Sequence, residues 1–226
     1  MTRVLPFFAA LFALTVGSSA HAQPAVDVGV IKNDDIKIVQ KLLYPKADRL
    51  ETGAHLAVMP FDAFTFTPAV ALTVAKHIRE DLGFEGILMG GYSLKNTRFN
   101  ELEGPAYGVS PDAYRFLGSV MFDTQYSPIY AKMNVAGQRI FHHDIFVTGG
   151  LGATFEQAMQ PDNSLAVAPT LGIGIGARIF TGKHYALRIQ LRDDILREKR
   201  AKTVDTQSWF IKQNVSVVIG MSKLSK

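Results

Sequence analysis

The stretch HYALRIQLRDD, His184 to Asp194, places Tyr185, Leu187, Ile189 and Leu191 on one parity and Arg188, Gln190, Arg192 and Asp194 on the other. Side chains of a strand alternate between two faces, so this segment reads as a strand with one apolar and one charged face. A helix would scatter both sets around its surface. The flanking runs repeat the pattern. In 164–180, Leu165, Val167, Leu171, Ile173, Ile175 and Ile179 oppose Ala168, Thr170, Gly172, Gly174, Gly176 and Arg178. In 208–221, Trp209, Ile211, Val215, Val217, Ile219 and Met221 oppose Lys212, Asn214, Ser216 and Gly220.

Further alternating runs cover 50–58, 69–79, 82–92 and 139–155. One more is expected in 119–134, where Val120, Phe122, Thr124 and Tyr126 alternate up to Pro128 and Ile129, Ala131 and Met133 continue on the other parity. Pro128 donates no ladder hydrogen bond, so a bulge there would absorb the slip. These runs exceed the about 5 or 6 residues usual for soluble strands. They reach the about 9 to 11 that a tilted membrane-crossing strand needs. The fold expected is all-β, an eight-stranded antiparallel transmembrane barrel. Tight turns join alternate pairs of runs, one of them Thr181-Gly182-Lys183. Longer loops are expected at 60–68, 93–118, 156–163 and 195–207, the longest with a helical turn started at Ser110-Pro111-Asp112. Short periplasmic turns and long outer loops are the habit of outer-membrane barrels.

The N-terminus supplies the compartment. Arg3, the uncharged run Val4 to Val16, and Gly17 to Ala22 with its Ala20-x-Ala22 site read as a signal peptide, 1–22. Residues 23–48 are expected as a periplasmic leader, with Asn33 capping a short helix that Pro45 ends, or else a short strand. The barrel follows over 49–226. Cysteine is absent, so there is no disulfide framework. A formal charge of +4 in an exported chain does not point to nucleic acid. The location expected is the outer membrane, with its lipid as the first partner.

Orientation of the faces follows from aromatic placement. Phe84, Phe141 and Tyr185 begin their strands on the apolar face, whereas Tyr92, Phe155 and Trp209 lie at the opposite level of theirs. Two belts flanking an outward apolar band form an aromatic girdle at the bilayer interfaces. The charged face then looks inward. Its expected polar network comprises Glu51, His55, Arg79, Glu85, His142, Asp144, Arg178, Arg188, Arg192 and Asp194, with His77, Lys132 and Gln190 beside them. An eight-stranded barrel is just wide enough for side chains to fill it. A plugged interior is therefore expected rather than an open pore.

Four stretches carry a family resemblance: Val39 to Glu51 (VQKLLYPKADRLE), Ser127 to Lys132 (SPIYAK), His142-His143-Asp144, and Leu187 to Asp193 (LRIQLRD). They resemble, in order, the outer membrane beta-barrel domain family described from myxobacteria and their relatives. Ala131 stands where that family has Gly. The resemblance implies fold and location rather than an activity. Some members resemble outer-membrane parts of a gliding-motility machinery.

Few residues suggest chemistry. Gly172-Ile-Gly174-Ile-Gly176-Ala177 imitates a dinucleotide fingerprint, but that motif needs a strand–turn–helix context and here alternation runs straight through it. Small residues making room on a crowded inner face explain it better, so no cofactor is expected. His142 and Asp144 share a strand face and suit an acid–base pair, yet the sequence places no Ser or Cys beside them and too few ligands for a metal. Arg197 to Lys202 forms a basic run that suits contact with anionic surface sugars if it lies in a loop. The function expected is non-enzymatic: an integral outer-membrane component docking partners of an envelope-spanning complex, with motility as the role the resemblance implies. The alternatives are a small outer-membrane enzyme acting on lipid or peptide, and a narrow channel.

Overall fold

A computed structural model describes residues 44–135, 139–159, 163–203 and 206–225. The expected signal peptide and Asn33 helix lie outside them. The strands are β1 (Leu50–Met59), β2 (Thr65–His77), β3 (Leu82–Gly91), β4 (Leu94–Lys95), β5 (Tyr114–Val135), β6 (Arg139–Ala158), β7 (Leu165–Phe180), β8 (Tyr185–Thr203) and β9 (Thr206–Ser225); the helix α1 spans Thr97–Glu103. The sheet order is β1-β9-β8-β7-β6-β5-β3-β2-β4, and β1 also pairs with β2. Every pairing is antiparallel. The two-residue β4 only extends the edge of β2, so the other strands close an eight-membered ring. Closure is set by Leu50↔Ser225 through Val58↔Val217 on one side of β1 and Leu50↔Lys76 through Met59↔Thr67 on the other. In a closed ring each strand has a paired neighbour on both sides, which permits burial of the backbone in lipid.

The bulge expected at Pro128 is present. Tyr126 pairs with Val147 but Ile129 with Ile145, so β5 gains one residue between them. A second irregularity separates Phe116 from Gly118. Both let a long strand change parity without leaving the ring.

The faces sort by polarity in the sense opposite to a soluble barrel. Leu56, Val70, Leu72, Val74, Leu88, Phe122, Leu151, Ile173, Ile175, Leu191 and Ile219 are exposed on the outer wall. Glu51, Glu85, Asp123, Asp144, Arg178, Arg188 and Arg192 are buried inside it. Soluble monomers rarely expose apolar surface this extensive. No described helix is long and apolar enough to cross a membrane.

Several expectations need correction. Loop 195–207 is not a loop: β8 runs to Thr203 and β9 starts at Thr206, so the basic run lies in a strand hairpin. Loop 60–68 is shortened because β2 starts at Thr65. No helical turn forms at Ser110 to Asp112. The helix of the long connection is α1 instead, started by Asn96, whose side chain accepts the Phe99 N–H at 3.0 Å. Capping of an orphan amide fixes that start. Phe99 anchors the helix against Ala113, Met159 and Phe64.

Candidate functional site

The barrel interior is the candidate site, because it holds most of the buried charge. It is built in tiers along the axis, each joining residues far apart in sequence.

At the end bearing the short turns, Arg178 on β7 lies 3.0 Å from Asp144 on β6 and 3.1 Å from Glu51 on β1. His77 contacts the same Glu51 at 2.8 Å. The segment before β1 closes this end. Lys46 reaches in to pair with Asp144, and its backbone N–H donates to Glu80 Oε2 at 2.8 Å. Tyr44 stacks on Phe180, ring centres 5.1 Å apart, and meets His142 edge-on at the same distance. Burial holds the Lys46 ammonium below the ordinary lysine range, while Asp144 pulls it upward.

In the next tier Arg188 on β8 forms a two-pronged pair with Glu85 on β3, the longer prong 2.8 Å, and donates to Gln190 Oε1 at 2.8 Å. Gln190 in turn donates to Thr148 at 2.9 Å. Phe146 is enclosed between Arg178 and Arg188, whose guanidinium carbons lie 5.2 and 4.6 Å from its ring centre. His55 sits beside this tier with its Nε2 3.0 Å from Thr73 Oγ1.

Above it, Arg192 pairs with Asp123 on β5 and with Asp194 at 2.7 Å. Near the long-loop end Lys212 on β9 lies 3.0 Å from Glu156, 3.5 Å from Glu198 and 3.6 Å from Asp62.

Around Arg188 and Arg192 the side chains leave little space. The cavity between Arg188, Gln190 and Arg192 is about 10 Å³, which is room for about one water at most. The inner glycines follow from this crowding. A Cβ at Gly172 would lie 2.0 Å from Arg192 Nη2, and one at Gly176 would lie 2.4 Å from the Phe146 ring. The glycine run thus sits within β7, with no helix after it.

Of the residues expected in the network, Glu51, His55, Glu85, His142, Asp144, Arg178, Arg188, Arg192 and Asp194 are buried. Arg79 is not. Its side chain is 65% exposed and paired with Asp81 at 2.5 Å. The cause is that β2 ends at His77, so parity beyond it no longer assigns a face. The hydrogen bond from Arg79 holds the Asp81 carboxyl below its usual range. Lys132 is also exposed. His142 and Asp144 do not pair: His142 Nδ1 is 3.1 Å from Tyr130 Oη, and Asp144 is taken by Lys46 and Arg178. Lys46, Asp123, Phe146 and Glu156 belong to the interior but were not read from sequence. Parity within β5 and β6 marks Asp123, Phe146 and Glu156; nothing local marks Lys46.

The girdle residues Phe84, Tyr92, Phe155, Tyr185 and Trp209 are exposed, and Phe141 is half-buried. Arg115 lies 4.3 Å over Tyr92 and Arg197 lies 4.1 Å over Trp209.

Among the described residues no group of three or more His, Cys, Asp or Glu is arranged to hold a metal. No family model and no curated protein sequence matches the chain. Among solved structures it is similar to the N-terminal beta-barrel domain of Pseudomonas aeruginosa OprF, with 9% identity over 79% of this chain and 98% of that one, TM-score 0.48. It is also similar to Ail, the attachment invasion locus protein of Yersinia pestis, with 10% identity over 78% and 97%, TM-score 0.40. Neisserial surface protein A shows 12% identity over 78% and 94%, TM-score 0.40.

Proposed function

We propose that this chain is an integral outer-membrane barrel with a structural role, held in lipid by its outer wall and docking envelope partners at its ends. The observation that carries the reading is the inverted polarity: an apolar outer wall around an interior filled with paired charges. The filled tiers of Arg188 and Arg192 argue against solute conduction, and the separate engagement of His142 and Asp144 argues against an acid–base pair. Docking is favoured by the ordered long-loop end, where α1 packs down and Phe61, Tyr107 and Val109 remain exposed. A place in a motility complex rests on the family resemblance of Val39 to Glu51 and the three other stretches, and deletion followed by tracking of other envelope proteins tests it.

The protein should fractionate with outer membranes and migrate differently in detergent gels before and after boiling, because a closed barrel resists detergent until heated. Recovery as a soluble periplasmic species would refute the membrane reading.

The connection between β3 and β5 should face the cell exterior, as long loops do. An epitope inserted beside Gly104, where α1 ends, should bind antibody on intact cells. Binding only after permeabilisation would mean the barrel is inverted.

A further inference from the structure

Asp193 breaks the apolar outer wall. It shares the parity of Leu191, Ile195 and Arg197, whereas Arg192 and Asp194 on either side of it are buried in the interior. Its ladder partners are Ile173 on β7 and Val215 on β9, and Ile173 and Leu191 beside it are exposed. It lies between the girdle levels marked by Tyr185 at the start of β8 and Trp209 near the start of β9. A carboxylate is therefore set into the apolar band. Its Oδ1 is covered by the protein yet meets no hydrogen-bond donor among the described residues. A second polar side chain stands next to it. Gln213 is exposed on β9 and pairs with Ile195, so Asp193 and Gln213 are diagonal neighbours on adjacent strands. Ile195 also lines an outer groove of about 770 Å³ whose other walls include Leu151, Leu171 and Ile211.

We infer that a second copy of this chain covers this patch, the Asp193 carboxylate of each copy accepting hydrogen bonds from the Gln213 amide of the other. A two-fold contact presents the same patch twice, so a patch that holds an acceptor and a donor side by side is its own complement. A carboxylate only accepts, and a primary amide brings two N–H donors. Acyl chains offer Asp193 no donor, and a polar group left unbonded among them is costly. Hydrogen bonds between side chains on lipid-facing surfaces hold membrane segments together for that reason. A partner of another sequence would have to bring both groups, whereas this chain already carries them. The apolar groove at Ile195 gives the second copy a surface to pack against. The inference rests on the outer wall facing lipid, and it concerns the wall rather than the barrel ends.

The chain has no cysteine, so Lys183→Cys in the exposed turn between β7 and β8 takes a single dye. Donor-labelled and acceptor-labelled barrels would be reconstituted together in phosphatidylcholine vesicles, and energy transfer followed against the protein-to-lipid mole fraction. Transfer should rise above the level of randomly distributed barrels and saturate. Asp193→Leu and Gln213→Leu should each move half-association to a mole fraction about tenfold higher, because each removes both symmetry-related contacts. Leucine suits a lipid-facing wall, so both variants should fold, and heat-modifiable migration checks that they do. Mixing the two variants restores one of the two contacts. Donor-labelled Asp193→Leu and acceptor-labelled Gln213→Leu should therefore associate at a lower mole fraction than either variant does with itself. Random-level transfer in the unsubstituted chain, the result expected if lipid or a different protein covers Asp193, would overturn the proposal. So would association indifferent to both substitutions, or a mixed pair no better than the single variants. Failure of the membrane reading is separable, because it appears as loss of heat-modifiable migration before any mixing.

Discussion

Arg188→Leu is expected to destabilise the folded barrel by about 3–5 kcal/mol, the usual consequence of removing one partner from a buried ion pair. Arg188 and Glu85 are both essentially inaccessible, and the guanidinium holds both carboxylate oxygens. Without it Glu85 is left buried and stripped of the guanidinium that holds both of its oxygens. The arginine also covers one face of Phe146 and fixes Gln190, so packing and hydrogen bonding are lost with the charge. The control is the double variant Arg188→Leu/Glu85→Leu. Removing both charges takes away the unpaired carboxylate, and buried pairs replaced by apolar groups are often near neutral. Urea unfolding in lipid vesicles should therefore show the double variant recovering much of the single variant's loss. A double variant that is less stable than Arg188→Leu alone would mean that the interior is hydrated enough to tolerate lone charges.

The pairing of Arg188 with Glu85 also marks the limit of what sequence can tell. Alternation assigns each residue to a face, because that depends only on its neighbours along the strand. It does not say which inward acid meets which inward base, since that depends on strand register around the whole ring. Glu85 and Arg188 lie on β3 and β8, which are not adjacent in the sheet. Lys46 was beyond reach for the same reason: it precedes the first strand and enters the interior only because the chain folds back across the barrel end.

The misread segment 195–207 has a different cause. A period of two in hydrophobicity reports that the two faces of a strand meet different surroundings, here an apolar outer wall and a charged interior. Beyond the apolar band the outer face is no longer apolar, and the signal ends while the β8–β9 hydrogen-bond ladder continues. Arg197 faces outward and Glu198 inward, an alternation of direction without one of polarity. The Pro128 bulge is legible because outward apolar residues flank it on both sides, so a change of parity has to be reconciled by an extra residue. Asn96 gives little signal as a helix start because α1 is short and has only Phe99 as a buried anchor.

Ile189→Arg and Gln190→Arg place the same charge at consecutive positions of β8 and should differ sharply. Ile189 is 41% exposed on the outer wall, whereas Gln190 is 3% exposed inside. Ile189 pairs with Ala177 on β7 and Ile219 on β9, and Ile175, Leu191 and Val217 share its exposed face, so no polar group there receives a guanidinium. Arginine on the lipid face near the bilayer midplane costs about 2–4 kcal/mol. At position 190 the new charge enters an interior that already holds Arg178, Arg188 and Arg192 against Glu51, Glu85, Asp123, Asp144 and Asp194. The cost there is crowding and the lost bonds to Thr148 and Arg188, which a long side chain partly relieves by reaching a carboxylate. Ile189→Arg should thus lower the urea midpoint in vesicles, or block insertion, more than Gln190→Arg does. The sense of the difference reports which face meets lipid, since the two substitutions share strand, depth and charge. If Gln190→Arg is the more damaging, the outer wall of this barrel is not the surface in contact with the bilayer.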